Sequence, residues 1–276
     1  MEYNTDFLNF TEIFDPSETK DLFSLAGEYP FDDFTADHRR FEERSIDYAY
    51  VSSKIEGNQY SKKGASLLLQ YGFTEAGKTF QDAAMLVNIR DAFVNVTLNP
   101  DENIGSVLSK HYVRSIHSQV ADKLIRPSAR GQVRLRPVTI SGSEYIPLAT
   151  PYALEDELEK ILTIAKSINN PFAQAVYVHC NLAYLQYFED GNKRVSRLMQ
   201  TAVLSAHKIT PIFLQESSVQ AYLLAVLSYY ETGDYAQYKK LFIQEYEHTI
   251  RQLEGRTPEQ LMAEKQALAK IKSRRP

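Results

Sequence analysis

The sequence predicts a mostly α-helical protein that carries one short β-hairpin. Apolar residues recur every three or four positions through most of the 276 residues, which is the period of an amphipathic helix. One segment instead alternates apolar and polar residues before a glycine-containing turn, which is the pattern of a hairpin. Hydrophobic residues make up 43% of the chain and charged residues 24%, so the chain can bury a large core.

Four apolar stripes indicate helices in the middle and later parts of the chain. In order they are Val113/Ile116/Val120/Leu124, Leu154/Leu158/Ile161/Leu162/Ala165, Val195/Leu198/Met199/Ala202 and Val219/Tyr222/Leu223/Val226/Tyr230. A last helix is predicted to begin after Thr257, because Pro258 suits a first helical position and Gln260 completes a capping box. The basic tail at 270–276 is predicted to fray.

The hairpin is predicted from three adjacent segments. Residues 133–140 alternate and are rich in β-branched side chains, residues 141–143 supply a turn, and residues 144–147 return. Two strands alone are marginally stable, so we expect the hairpin to rest on the helices. Its exposed edge could bind an extended peptide by adding a strand.

The best candidate boundary is the polar stretch at 99–106. We therefore expect an N-terminal helical region at 1–100, a core at 101–208, and C-terminal helices packed on that core at 209–276.

Composition excludes several classes of protein. The formal net charge of −4 gives no overall attraction to nucleic acid or to anionic lipid. No apolar run reaches the roughly 18–20 residues of a membrane helix, and the N-terminus lacks a signal core. The single cysteine excludes an internal disulfide and a cysteine-based zinc site. The sequence thus predicts a cytoplasmic protein without a membrane partner.

The most informative segment is residues 186–197, in which an acidic loop leads into a helix. Gly191 lets the backbone approach a ligand closely, and the start of a helix favours an anion. Arg194 and Arg197 are three positions apart and share a helix face. Asp190 is a hard oxygen ligand of the kind that Mg²⁺ prefers. The pattern fits a nucleotide polyphosphate with its metal, whereas the loop residues alone would also suit a surface turn before a solvated basic face.

The whole segment resembles the signature of the Fic family, His-x-Phe-x-Asp/Glu-Gly-Asn-Gly/Lys-Arg-x-x-Arg. The matching residues are Phe188, Asp190, Gly191, Asn192, Lys193, Arg194 and Arg197. The chain departs from the signature at one position, because Gln186 stands where the family has its catalytic histidine. The resemblance implies a Fic-type helical bundle with a hairpin flap, centred on the predicted core at 101–208.

A second motif lies upstream, where Ser52, Glu56 and Gly57 close a predicted helix. It resembles the Ser/Thr-x-x-x-Glu-Gly/Asn inhibitory motif that one class of the family carries on an N-terminal helix. A solvated glutamate at an ordinary helix end is the alternative, with Gly57 as the terminating residue. The similarity to the family covers roughly residues 45–240.

The resemblance implies transfer of AMP from ATP to a hydroxyl of a target protein, a nucleotidyltransferase activity used in signalling. Asp190 would hold Mg²⁺ and Asn192 would contact the α-phosphate, whereas Glu56 would pair with Arg197 and inhibit the site. The other nucleotide contacts would come from Gly191, Lys193, Arg194, Arg197, Tyr222 and Tyr229. The target would dock on the hairpin flap at Val138, Thr139 and Ile140.

Gln186 puts the activity itself in question. The residues nearest the chemistry would be Gln186, Asn192 and Arg194, yet a glutamine cannot accept the hydroxyl proton. General-base catalysis is worth about 10²–10⁴-fold, so transfer should slow by that much while nucleotide binding survives. His179 lies on an apolar stripe and is predicted to be a core residue, whereas the sequence alone does not place His111 or His117.

Two main hypotheses follow. The protein is either a Fic nucleotidyltransferase slowed by Gln186 and restrained by Glu56, or a degenerate member that binds nucleotide as a sensor or interaction module. Four arginines around the hairpin would suit nucleic-acid phosphates, but a solvated face is favoured. They are Arg126, Arg130, Arg134 and Arg136. Homo-oligomerisation is left open.

Overall fold

A computed structural model describes residues 1–255 of the chain. The helix predicted after Thr257 and the basic tail at 270–276 lie outside the described residues. The described helices are α1 (Pro16–Glu28), α2 (Phe31–Ala36), α3 (His38–Ile55), α4 (Lys62–Tyr71), α5 (Phe80–Leu98), α6 (Ile104–Val107), α7 (Lys110–Val120), α8 (Pro151–Ser167), α9 (Pro171–Leu185), α10 (Asn192–Ala206), α11 (Val219–Thr232) and α12 (Ala236–Leu253). The prediction of a mostly helical protein is confirmed.

Local sequence signals begin several of these helices. Asp15 caps α1 in a capping box with Glu18, and Thr79 does the same for α5 with Asp82. α8 and α9 each open with a proline behind a capping side chain, from Thr150 and Asn170 respectively. The apolar stripes predicted for the four central helices are largely buried, as expected for amphipathic helices.

The centre of the fold is the pair α9 and α10, which pack on each other and are joined by the loop at 186–191. Every residue of α9 is buried. α5, α7 and α6 cover α10, whereas α8, α11 and α12 cover α9. Buried side chains form a connected core that reaches from Phe7 to Leu253. The polar stretch at 99–106 covers the connection after α5 and the first three residues of α6. The three-part organisation stays a prediction.

The hairpin prediction is not confirmed, because no strand forms in residues 1–255 beyond one isolated pair, Glu2 with Ile146. The predicted turn is present at residues 141–142, where Gly142 has a φ of 81°. Backbone hydrogen bonds of Ile146 go to Met1 and Tyr3 instead of to the arm at 138–140. The returning arm is therefore paired with the start of the chain and has no backbone hydrogen bonds to residues 138–140.

Within the described range, no helix is both long and apolar enough to cross a lipid bilayer.

Candidate functional site

The loop at 186–191 turns the chain between the two central helices. Gln186 ends α9 in the left-handed region, with a φ of 51°, and Gly191 precedes α10 with a φ of 80°. Glycine adopts such a conformation without steric cost, whereas a glutamine must be held in it. The surrounding hydrogen bonds supply that restraint.

Asn192 braces the loop from within. Its side-chain oxygen accepts from the Phe188 N–H at 2.8 Å, and its amide donates to the Phe188 carbonyl at 2.9 Å. The amide also donates to Oε1 of Gln186 at 3.1 Å. The polar atoms of Asn192 thus serve the loop itself, although the residue lies on the wall of the neighbouring cleft.

Two side chains from other elements brace the loop from outside. The buried Arg134 donates from Nε to the Gln186 carbonyl at 2.6 Å, and its backbone N–H donates to the Tyr187 carbonyl at 3.0 Å. His117, from α7, lies 3.1 Å from the Asp190 carbonyl. No sequence pattern places either residue at the loop, because both contacts depend on tertiary packing.

The N-terminus of α10 faces an open cleft and has no capping side chain. The first hydrogen bond of the helix runs from the Val195 N–H to the Gly191 carbonyl, so the N–H groups before Val195 lack intrahelical acceptors. Such unpaired N–H groups and the helix dipole favour an anion. Lys193 adds a positive charge at the same place.

The cleft has a volume of about 680 Å³. It is lined by the loop, by the segment at 137–141, which we call the flap segment, and by α11. The predicted docking residues Val138, Thr139 and Ile140 therefore line the same cleft as the loop. The residues lining the α11 wall are Gln220, Leu223, Leu224, Val226, Leu227 and Tyr230.

Asp190 lines this cleft and is oriented by Arg194. Its Oδ2 lies 2.7 Å from the buried Arg194 guanidinium, and Oδ1 accepts from the Gly191 N–H at 2.6 Å. Burial opposes ionisation, but Arg194 and this hydrogen bond outweigh it and hold the pKa of Asp190 below its ordinary value. Arg194 also donates to the Val120 carbonyl, so its side chain orients the acid and does not line the cleft.

The donor set around Asp190 suits one kind of metal site. No group of three or more potential metal ligands occurs among the residues that the structure describes. A single ionised carboxylate facing a cleft fits Mg²⁺ that arrives with nucleotide phosphates, because this ion keeps most of its water and phosphate ligands. It does not fit a resident metal held by protein side chains alone.

The predicted pairing of Glu56 with Arg197 is present in the structure. Arg197 is buried at 4% exposure, and its guanidinium lies 2.8 Å from Oε1 of Glu56. The guanidinium also donates to Oγ of Ser52 at 2.8 Å, to the Ser52 carbonyl at 3.1 Å and to the Tyr222 hydroxyl at 3.1 Å. The end of α3 is thereby fastened to α10, with Gly57 turning the chain at a φ of 84°.

Glu56 lies between two cations at the edge of the cleft. Its second oxygen is 3.4 Å from Nζ of Lys193, and its side chain is 14% exposed. Burial raises the pKa of Glu56, but Arg197, Lys193 and Arg194 together lower it below the ordinary value. The ionised Glu56 carboxylate therefore lies between Arg197 and Lys193, in the space where an anionic ligand would contact both cations.

Gln186 has no free polar atom on its side chain. Nε2 donates to the Ala183 carbonyl at 2.7 Å and to the Tyr230 hydroxyl at 3.2 Å, and Oε1 accepts from Asn192. Burial raises the pKa of the Tyr230 hydroxyl well above its ordinary value, so this group stays protonated. Neither side chain accepts a proton at neutral pH.

His179 is a core residue, as predicted from its apolar stripe. It is fully buried, stacks on Tyr238 at 4.4 Å and lies 3.3 Å from the Tyr222 hydroxyl. Burial, with a smaller contribution from the positive charge of Arg197, lowers the pKa of His179 to about 3. His179 is therefore neutral and enclosed.

The two tyrosines expected beside the nucleotide face away from the cleft. Tyr222 is buried against Arg197, and Tyr229 is buried against Asn181 and Tyr235. Neither lines the cleft, because the cleft face of α11 is formed by positions such as Leu223, Leu227 and Tyr230. Tyr222 thus touches the site through Arg197, and Tyr229 belongs to the core.

Three of the four arginines near the flap segment are already engaged. Arg126 pairs with Glu189 at 3.0 Å, Arg130 pairs with Asp122, and Arg134 is buried beneath the loop. This arrangement supplies no continuous row of free cations for nucleic-acid phosphates.

Comparisons with known proteins agree with this geometry. Residues 107–204 match the model of the Fic/DOC family. The chain contains a Fic/DOC domain. The matched region holds α7, the flap segment, the loop and most of α10, whereas α3 with Glu56 lies outside it.

The relatives found by sequence are longer proteins. The chain is 25% identical over 185 residues to protein adenylyltransferase fic-1 of Caenorhabditis briggsae, a match that covers 65% of this chain and 36% of that protein. It is 25% identical over 199 residues to protein adenylyltransferase Fic of Nematostella vectensis, covering 70% of this chain and 44% of that protein. The chain therefore spans less than half the length of these curated relatives.

Solved structures share the fold. A fragment of Fic-1 from C. elegans superposes with a TM-score of 0.70 at 20% identity, covering 87% of this chain and 71% of that one. A Fic domain containing signaling protein from Bacteroides thetaiotaomicron gives a TM-score of 0.66 at 17% identity, covering 87% and 99%. At these identities the similarity establishes the fold alone.

Proposed function

We propose that the cleft binds ATP with Mg²⁺ and that the protein is an adenylyltransferase that Glu56 restrains and that Gln186 slows. The observation that carries this proposal is the Glu56 carboxylate, held 2.8 Å from Arg197 and 3.4 Å from Lys193 beside the uncapped start of α10. The protein places its own anion where a phosphate chain would lie. A site that binds a carboxylate in this way is built for anions.

The chemistry proposed is transfer of AMP to a protein hydroxyl. Support comes from relatives named protein adenylyltransferases, at 25% identity. The hydroxyl oxygen would form a bond to the α-phosphorus of ATP, the bond from that phosphorus to the bridging oxygen would break, and pyrophosphate would leave. The hydroxyl proton must leave as well, and this is the step for which the site has no evident acceptor.

In this proposal the residues of the loop bind and orient the nucleotide. The N–H groups at the start of α10 would bind phosphate oxygens, and Arg197 would bind the terminal phosphates once Glu56 has moved away. Asp190, oriented by Arg194, would hold Mg²⁺, which neutralises phosphate charge when bound. Asn192 would act indirectly, because its polar atoms keep the loop in shape.

The target would bind along the flap segment. Residues 144–146 are paired with the start of the chain, whereas no backbone hydrogen bond joins 138–140 to that arm. The edge at Val138–Ile140 lines the cleft and could accept an extended peptide by strand addition. A cytoplasmic location stays a prediction, and self-association stays open.

Gln186 favours a second candidate, a protein that binds nucleotide without transferring AMP. Its side-chain amide forms hydrogen bonds with Ala183, Tyr230 and Asn192. Gln186 therefore has a structural role and cannot accept the proton of a target hydroxyl. Under this alternative, nucleotide binding would itself be the signal.

Incubation with labelled ATP and Mg²⁺ separates the candidates. The variants are the wild type, Glu56→Gly and Glu56→Gly/Gln186→His, and the readout is label on the protein itself and on lysate proteins. We expect the double variant to exceed Glu56→Gly by about 10²–10⁴-fold, the range of general-base catalysis. If calorimetry shows that every variant binds ATP but none transfers label, the binding-only alternative replaces the transferase.

A further inference from the structure

His117 is a wholly buried histidine that touches the loop without lining the cleft. Its ring lies parallel to that of Phe188, with centroids 3.7 Å apart and an interplanar angle of 3°. Nε2 is 3.1 Å from the Asp190 carbonyl, and Nδ1 accepts from the Gly131 N–H at 2.8 Å. The His117 imidazole thus connects three parts of the chain. They are α7, the segment at Gly131 that precedes the flap segment, and the Asp190 end of the loop.

The two partners define the tautomer. A backbone N–H only donates, so Nδ1 carries no proton, and a carbonyl only accepts, so Nε2 carries one. Burial lowers the pKa of His117 to about 4, although the hydrogen bond to the Asp190 carbonyl acts in the opposite direction. This lowered pKa agrees with a neutral ring. With both nitrogens engaged, His117 is not available as a general base.

The close approach at Gly131 explains how this contact forms. Gly131 has a φ of 68°, and a Cβ there would lie 2.5 Å from Oγ of Ser118 and 3.0 Å from the Arg114 carbonyl. Only glycine lets the backbone come near enough to α7 for its N–H to reach Nδ1. The geometry at this position therefore fixes the proton of His117 on the side that faces Asp190.

We propose that His117 is the positioning residue for Asp190. By holding the Asp190 carbonyl and stacking on Phe188, it fixes the backbone from which the Asp190 carboxylate projects into the cleft. Arg194 orients the carboxylate and His117 orients the backbone that carries it. This inference rests on the proposed binding of ATP with Mg²⁺, and it predicts that loss of His117 weakens only the part of the nucleotide affinity that depends on Mg²⁺.

The test compares nucleotide affinity with and without Mg²⁺ by calorimetry, in a Glu56→Ala background that frees Arg197. His117→Phe keeps a ring to stack on Phe188 but loses both nitrogen contacts, and it should weaken binding of Mg²⁺-ATP by about 10–100-fold, as other losses of a ligand-orienting contact do. Affinity for ATP in EDTA should stay close to that of the parent. His117→Gln can still donate to the Asp190 carbonyl and should restore most of the Mg²⁺ dependence.

His111→Phe is the matched control, because His111 is exposed on the same helix. A general loss of structure would lower both affinities equally and would overturn the positioning role, as would an unchanged Mg²⁺ dependence in His117→Phe. If the parent binds no ATP at all, the proposed function fails and the role of His117 fails with it.

Nitrogen NMR of the parent gives an independent reading that needs no nucleotide. We expect a neutral His117 ring with its proton on Nε2. A proton on Nδ1 would contradict the hydrogen bond to Asp190 on which the inference depends.

Discussion

Replacing Glu56 with alanine should strengthen ATP binding and weaken the fold at the same time. The carboxylate and the phosphate chain compete for Arg197, so the ligand must first displace a charge-assisted hydrogen bond of 2.8 Å. Such a bond contributes about 1.5–3 kcal/mol, which at 1.4 kcal/mol per tenfold predicts roughly 10- to 100-fold tighter binding of Mg²⁺-ATP in Glu56→Ala.

The effect of this variant on stability has the opposite sign. Removing one member of a buried ion pair costs about 3–5 kcal/mol, and we expect the lower end because Ser52 and Tyr222 still accept from Arg197. Thermal unfolding should therefore shift down without ligand and recover when Mg²⁺-ATP is added.

Calorimetry and thermal unfolding of the same samples measure both effects. Glu43→Ala is the control. Glu43 lies on α3, the helix whose C-cap is Glu56, and it pairs with Arg39, whose side chain is 90% exposed to solvent. That variant should change neither quantity by more than about 0.5 kcal/mol. If Glu56→Ala loses stability but binds ATP no more tightly than the wild type, the carboxylate does not compete with a phosphate and the reasoning fails.

Three further predictions follow from the described contacts. Because the pKa of Glu56 is lowered, its charge stabilises the fold at neutral pH, and the advantage of the wild type over Glu56→Gln in urea unfolding should disappear as the pH falls below 4.5. Arg134→Met should cost about 3 kcal/mol in the same assay, because it leaves several buried carbonyls without donors, whereas the exposed Arg136→Met should be nearly neutral. Tyr222→Phe should weaken ATP binding roughly 2- to 10-fold by calorimetry, because Arg197 loses an acceptor, whereas Tyr229→Phe should lower stability and leave ATP affinity unchanged.

The sequence predicted those parts of the fold and site that are encoded locally. The stripe from Leu154 to Ala165 has the helical period, and it forms the buried face of α8. The Asp190–Arg197 segment carries its own turn and helix signals, so the loop before α10 could be recognised directly. The contact between Glu56 and Arg197 spans 141 positions and was predicted only through the family resemblance.

The predictions that were not confirmed depend on contacts between distant segments. The alternation at 133–140 and the turn at 141–143 predict two paired strands. In the structure, however, the returning arm forms its backbone hydrogen bonds with residues 1–3. Tyr222 and Tyr229 are seven positions apart and do share a face of α11, but packing turns that face toward the core. The role of His117 depends on the approach of Gly131 to α7, for which the linear sequence has no signal.

A crystal structure of Glu56→Ala with ATP and Mg²⁺ tests the central claim most directly. We predict a triphosphate between the start of α10 and Arg197, with the metal against the Asp190 carboxylate and the α-phosphate open to the flap segment. A nucleotide bound elsewhere, or a cleft that stays empty at saturating ATP, would contradict the assignment of this cleft as the nucleotide site.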